Sequence, residues 1–145
     1  GIEKIYSNNI NLKVTETNSD EFSIKIRKSS EGRNITKANN NAADIEYNYT
    51  IKDNTLILDA YFLSKYKHIF KYEKVYITIY VPTNKTVYFD NSTRNFLHGN
   101  YDVDNMYDSD MANHYYLMTK KGLNCTDCEE EKEINDNDSE EESEF

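Results

Sequence analysis

The stretch Val75-Tyr-Ile-Thr-Ile-Tyr-Val-Pro82 decides the fold class, because aliphatic residues alternate along it with tyrosine and threonine. A period of two residues is typical of a β-strand, whose successive side chains point to opposite faces of a sheet. One face of this predicted strand is aliphatic and the other carries large side chains, so we expect both faces to be partly covered. Pro82 cannot donate a hydrogen bond to a neighbouring strand, and we expect it to end the strand.

The same period recurs along the chain, so we predict a mainly β fold. Turn-forming Asn, Asp and Ser residues separate the alternating runs, for example at 18–20 and at Asp53-Asn54. We expect antiparallel sheets or a short β-roll or solenoid-like layer structure. The other predicted strands lie around 10–14, 22–26, 47–51, 56–60, 86–89 and 115–118.

One segment follows the period of a helix instead. We predict a single short α-helix there, of about ten residues, between the second and third strands, with Asn34 or Thr36 as its N-cap. Residues 91–113 show neither period and indicate an irregular loop. The helical stripe consists of Ile35, Ala38, Ala42 and Ile45.

The formal net charge of −9 comes from the C-terminal end of the chain. Residues 127–145 contain eleven of the 26 acidic residues but one of the 17 basic ones, so the rest of the chain is nearly neutral. Acidic segments with few apolar residues do not bury enough surface to fold, and we predict a disordered acidic tail over 129–145 after a single β-rich domain over 1–128. A nearly neutral domain lacks the concentrated basic surface that nucleic acids require, so we expect no nucleic-acid partner.

The two cysteines, spaced as Cys125-Thr-Asp-Cys128, raise the main chemical question of the sequence. A redox-active pair usually begins a helix, whereas this pair lies in a β-rich context before a run of acidic residues. A zinc site needs two further ligands, and neither a second cysteine pair nor a helpful histidine spacing is present. The context favours a local disulfide formed in an oxidising compartment, with free thiols, metal binding and redox chemistry as the alternatives.

Other candidate sites are weaker. The acidic residues of 102–110 alternate as in a calcium-binding loop, but Tyr107 stands where an EF-hand requires glycine. His114 follows Asp110 by four residues, a spacing that would pair the two side chains on one helical turn. The sequence contains no nucleophile motif, phosphate-binding loop or dinucleotide fingerprint. We therefore expect no catalytic residue, no cofactor and no bound metal.

The order of the segments resembles a known family. A strand at 9–14 and an Ala-containing helix precede Asn54-Thr-Leu-Ile-Leu-Asp-Ala-Tyr-Phe62, the Val75–Pro82 stretch and the ending Gly122-Leu-Asn-Cys-Thr-Asp-Cys128. This arrangement is similar to the C-terminal soluble region of the PspC-domain membrane proteins of Bacteroidetes-type bacteria, and in layout to the GIN-type adhesin-like β domains. The resemblance implies a periplasmic or other extracytoplasmic location, an inner-membrane anchor upstream of Gly1, a link to envelope stress, and no known catalysis.

We therefore predict a non-catalytic sensor or interaction domain that binds a protein partner in the cell envelope. Exposed aromatic side chains are enriched at protein-binding surfaces, and Tyr76, Tyr80 and Tyr88 are the candidates for such a surface. The alternatives are a cell-surface adhesin-like binding domain and a thiol redox module that uses Cys125 and Cys128.

Overall fold

The computed structural model describes residues 4–65, 72–98 and 108–128. Within these residues the chain is mainly β, as the alternation predicts, with ten strands and one α-helix. The predicted disordered tail over 129–145 and most of the acidic segment 102–110 lie outside the described residues. The elements are β1 (Lys4–Ser7), β2 (Ile10–Thr17), β3 (Ser23–Ser29), α1 (Ile35–Ala43), β4 (Tyr49–Lys52), β5 (Thr55–Leu58), β6 (Phe62–Lys65), β7 (Lys74–Pro82), β8 (Thr86–Tyr88), β9 (Tyr115–Thr119) and β10 (Gly122–Cys125).

The described strands form four small sheets, most of them from antiparallel pairs. β1 pairs with β6, β4 pairs with β5, and β9 lies between β8 and β10, all antiparallel. In the remaining sheet β7 lies between β2 and β3. Val75 N donates to Asn9 O at 3.1 Å and Thr83 N to Thr17 O at 3.4 Å. The residue numbers of both partners increase together, so β2 and β7 run in the same direction.

β7 follows the predicted alternation. Its valines are buried together with Ile77, while Ile79 and the two tyrosines are half-buried. Both faces of the strand are therefore at least partly covered. The strand ends at Pro82, and Asn84, with a φ of 75°, turns the chain toward β8.

The chain divides into two compact units. The first unit takes the described residues up to Leu12 and from Ile24 to Thr78, and the second takes Lys13–Ser23 and the described residues from Ile79 onward. Each unit buries its own apolar side chains. Those of the first unit are Ile10, Leu12, Ile45, Tyr47, Phe62, Val75 and Ile77, and those of the second are Val14, Val81, Phe89, Leu97, Met111, Ala112, Tyr116, Met118, Leu123, Cys125 and Cys128.

The helix α1 is capped by Asn34 rather than Thr36. The Asn34 side-chain oxygen accepts a backbone N–H of the first turn at 2.8 Å. The predicted apolar stripe is wrong at Ile35, which is 80% exposed, and Asn41 is buried instead. The amide of Asn41 donates to Glu31 O at 2.9 Å, and this hydrogen bond offsets the cost of burying a polar group.

The alternation also overstates some strands and misses others. Phe22 precedes β3 and is 51% exposed, so it does not belong to the covered face of that strand. The strands β1, β6 and β10 are not predicted, and each has four residues. Length alone is not the reason, because β4 and β5 also have four residues and are predicted. On the more buried face of β1, β6 and β10, one of the two positions is a serine or a cysteine (Ser7, Ser64 and Cys125), so no apolar period is visible.

Candidate functional site

The candidate site is built on the β9–β10 hairpin of the second unit. The register of this hairpin pairs Cys125 with Tyr116. Gly122, at the turn, has a φ of 125°, a conformation that a side chain would strain. Beyond β10, Thr126 N donates to Tyr115 O at 2.9 Å, so the segment after Cys125 is held against the start of β9.

Cys125 and Cys128 lie at disulfide distance in the structure. Their Cα atoms are 5.7 Å apart, a separation that disulfides commonly span. Both cysteines are buried, with 4% and 2% of their surface exposed, whereas the two residues between them are exposed. The cysteine pair is therefore buried and closes a short loop directly after β10.

The carboxylate of Asp127 is the polar centre of this turn. Its Oδ1 accepts from Tyr115 N at 3.1 Å and lies 3.1 Å from His114 Nδ1. A carboxylate at this position favours the tautomer in which Nδ1 carries the proton. The same oxygen lies 3.2 Å from Cys125 Sγ. A disulfide sulfur carries no hydrogen, so this contact becomes a hydrogen bond only when Cys125 is a thiol.

His114 has a different partner from the one that its spacing indicates. The four-residue spacing predicts Asp110, whereas the structure places Nδ1 against Asp127, thirteen residues further along the chain. The two residues meet because β10 runs antiparallel to β9, so the residues that follow β10 lie beside the residue that precedes β9. No sequence motif marks this pairing. It could have been found if the β9–β10 hairpin had been predicted, because the hairpin brings its two ends together.

Four side chains of this turn could share one metal ion. Among the described residues, His114, Cys125, Asp127 and Cys128 place one ligand atom each within 4.8 Å of the others. The sequence-based expectation of no metal rested on the lack of a second cysteine pair and of a helpful histidine spacing. In the structure, a histidine and an aspartate supply the two further candidate ligands beside the cysteine pair.

The predicted tyrosine surface is divided between the two units. Tyr88 in β8 lies directly opposite Tyr115 in β9, with ring centroids 4.7 Å apart and with 47% and 50% of the two residues exposed. Tyr80 belongs to the same unit and is half-buried. Tyr76 belongs to the first unit, where the guanidinium of Arg27 lies 4.0 Å from its ring centroid. Tyr115, which the sequence analysis did not propose for the surface, is therefore the partner of Tyr88.

Comparisons with known proteins give the family of the chain. Residues 1–131 match the family described as a ToastRack found in some PspC. No curated protein and no solved structure matches the chain. None of the helices in the described part of the chain has the length and apolar character to cross a membrane.

The family match confirms the PspC part of the resemblance seen in the sequence. The toast-rack domain is an accessory type of domain without catalysis, and its association with PspC implies a membrane-protein context. The match spans almost the whole chain, including both units and the cysteine turn. The chain therefore belongs to the toast-rack domain family found in some PspC proteins.

Proposed function

We propose that this chain is a non-catalytic sensor or interaction domain, presented on the extracytoplasmic side of the membrane by a PspC-type envelope stress protein. The observation that carries the proposal is the toast-rack match over residues 1–131. An accessory domain of a membrane protein contributes recognition rather than chemistry. While the two cysteine sulfurs are bonded to each other they offer no nucleophile, which also favours a binding role.

The surface that best suits recognition of a protein partner is the Tyr88–Tyr115 pair. Tyrosine combines a large apolar ring with a polar tip, and it loses little side-chain entropy when it is bound. These two rings already contact each other across β8 and β9 in a tilted arrangement, so a partner meets an ordered surface. The ring of Tyr76 is engaged by Arg27 and is half-buried, which makes it the weaker candidate.

The side of the membrane can be tested with reporter fusions to the full-length PspC-type protein. Alkaline phosphatase needs an oxidising compartment for its disulfides, whereas a standard green fluorescent protein matures in the cytoplasm. We expect a phosphatase fused after residue 128 to be active and the fluorescent fusion at the same position to be dark. The reverse pattern would place the domain in the cytoplasm and overturn this part of the proposal.

Recognition can be tested by photo-crosslinking in the cells that encode the protein. A photoreactive amino acid at position 88 or 115 is compared with one at Ile51, which is 67% exposed and belongs to the first unit. We expect an adduct of defined mass from positions 88 and 115, and none from position 51. Equal crosslinking from all three positions would argue against a recognition surface at the tyrosine pair.

The two alternative functions have less support. A thiol redox module needs an accessible, stabilised thiolate, and the Asp127 carboxylate 3.2 Å from Cys125 Sγ disfavours one by charge repulsion. An adhesin-like role stays a prediction, because the family match is to a PspC-associated domain. The Bacteroidetes-type origin stays a prediction in the same way.

A further inference from the structure

We propose that reduction of the Cys125–Cys128 bond converts the C-terminal turn into a zinc-binding site, with His114 and Asp127 as the other two ligands. The observation behind it is the grouping of these four side chains around one point. The site requires no protein partner, so it stands or falls independently of the recognition role proposed above.

The distances suit a single tetrahedral ion. Zinc binds sulfur at about 2.3 Å and nitrogen or oxygen at about 2.0–2.2 Å, which separates ligand atoms by roughly 3.3–3.8 Å in a tetrahedron. The four ligand atoms here lie within 4.8 Å of one another, and Asp127 Oδ1 is already 3.1–3.2 Å from His114 Nδ1 and Cys125 Sγ. Once the S–S bond is broken, the two sulfurs have to move apart, and shifts of about an ångström in each ligand atom, within the range of side-chain rotation, assemble the site.

The donor set selects zinc over hard cations. Two thiolates and an imidazole suit zinc, whereas calcium and magnesium take oxygen ligands. Without a metal, two thiolates beside the Asp127 carboxylate would repel one another. A dication offsets this repulsion and makes the same three negative groups favourable.

The backbone holds the ligands in place before any metal arrives. Cys125 ends β10 opposite Tyr116, and Thr126 N bonds to Tyr115 O at 2.9 Å. On the other side, Phe89 N donates to His114 O at 3.3 Å, which ties the histidine backbone to the residue that follows β8. Cys125 thus ends β10, and the other three ligands lie in the residues directly before β9 or directly after β10. Little ordering entropy therefore remains to be lost when the ion binds.

A dithiol can serve as the reductant of the Cys125–Cys128 disulfide. The dithiol supplies two electrons and two protons, the Cys125–Cys128 S–S bond breaks, two thiols form, and the dithiol is oxidised to its own disulfide. Zinc then binds both sulfurs as thiolates, and their two protons pass to solvent. Because zinc binds the reduced form and the disulfide lacks both thiolates, zinc raises the reduction potential of the pair by mass action.

The first experiment is a cobalt titration of the chain in its reduced and oxidised forms. The chain is reduced with a phosphine, separated from it without oxygen, and titrated with Co²⁺, whose spectrum reports thiolate ligands and tetrahedral geometry. We expect one Co²⁺ per reduced chain, with thiolate-to-cobalt bands that Zn²⁺ removes, and no such bands from the oxidised chain. A reduced chain without thiolate-to-cobalt bands would overturn the proposal, as would equal binding by both forms.

The second experiment tests the two ligands that are not cysteines. His114→Ala and Asp127→Asn are each expected to weaken zinc binding by about tenfold or more, measured against a chromophoric chelator. His98→Ala is the matched control, since this exposed histidine lies outside the cluster, and it should leave the affinity unchanged. Wild-type affinity in both His114→Ala and Asp127→Asn would show that the proposed ligand set is wrong.

The third experiment measures the coupling between the metal and the disulfide. The midpoint potential of the pair should rise by about 30 mV for each tenfold excess of free zinc over its dissociation constant. Asp127→Asn should need a higher zinc concentration to reach the same rise. A potential that is independent of zinc would contradict the proposal, while the crosslinking from positions 88 and 115 would be unaffected by that result.

Discussion

Two hairpins of this protein share a local design and differ in burial. β4–β5 in the first unit and β9–β10 in the second are antiparallel pairs joined by tight turns. In β9–β10 every second residue is buried, and Tyr116, Met118 and Leu123 are at most 1% exposed. In β4 every residue is exposed, including Ile51 at 67%. Alternation therefore specifies a strand, while the cover from other elements decides whether its apolar face is buried.

The two hairpins are also anchored by different interactions. At the base of β4–β5, Tyr47 Oη donates to Asp59 O at 2.8 Å, and Asp59 N donates to Asn48 O at 3.2 Å. At the base of β9–β10, the hydrogen bonds of Thr126 and Asp127 with Tyr115 are joined by buried apolar side chains and the cysteine pair. We expect the first hairpin to depend on polar contacts and the second on packing and covalent closure.

The largest effect should come from cutting a buried side chain of the second hairpin. Leu123→Ala removes a side chain with no exposed surface, and we expect a loss of about 2–5 kcal/mol in the free energy of unfolding. Ile51→Ala makes a comparable truncation on an exposed strand and should cost less than about 1 kcal/mol. Urea unfolding followed by circular dichroism compares the two, and equal losses would contradict the contrast between the hairpins.

The next effect should come from opening the cysteine pair in metal-free solution. A disulfide that closes so short a loop stabilises by about 2 kcal/mol in the chain-entropy model, and reduction should remove that amount. Hydrogen exchange should then speed up for the amides of β9 and β10 and stay unchanged for those of β4 and β5. The Cys125→Ala, Cys128→Ala double variant serves as the control, because its stability should not respond to the reductant.

Much of the fold could be predicted because its signals are local. The alternation of β7 and the cap of α1 each depend on residues within a few positions of one another. Ile35 and Phe22 were assigned to covered faces and are exposed, because a periodic pattern does not report where a covered surface ends. The strands β1, β6 and β10 were missed for a different reason, since a serine or a cysteine takes one of the two positions on the more buried face of each and interrupts the apolar period.

In the candidate site, the cysteine pair could be predicted from local sequence, whereas the contact between His114 and Asp127 could not. The spacing of Cys125 and Cys128 announces a close pair, since three residues of separation keep the sulfurs near each other. The contact of His114 with Asp127 depends on the register of a hairpin, and a shift of one residue would turn one of the two side chains to the other face. Non-local contacts of this kind follow from the assembled sheet and have no signature in the spacing.

A smaller effect should come from the turns of the two hairpins. Gly122 has a φ of 125°, so Gly122→Ala should strain the backbone and cost about 1–2 kcal/mol. Asp53, in the β4–β5 turn, has a φ of 55°, a conformation that aspartate tolerates, and Asp53→Gly should change stability by less than about 0.5 kcal/mol. Thermal unfolding of the two variants measures this difference. A larger loss of stability from Asp53→Gly would show that the turn of the first hairpin is the more sensitive to substitution.

The smallest effect concerns the polar anchor of the first hairpin and depends on pH. Burial raises the pKa of Tyr47, and the nearby Asp59 carboxylate raises it further. The unfolded chain loses this proton near pH 10 while the folded chain keeps it, so the contribution of the Tyr47 hydroxyl to stability is complete below about pH 10 and declines above it.

Tyr47→Phe should cost about 1 kcal/mol near pH 8 through the lost hydrogen bond to Asp59 O, and its deficit in stability against the wild type should shrink as the pH rises above 10. Urea unfolding between pH 8 and about 11 measures that deficit, with Tyr88→Phe as the control at an exposed ring. A deficit that stays constant over this range would mean that the Tyr47 hydroxyl is not held in its neutral form by the base of the hairpin.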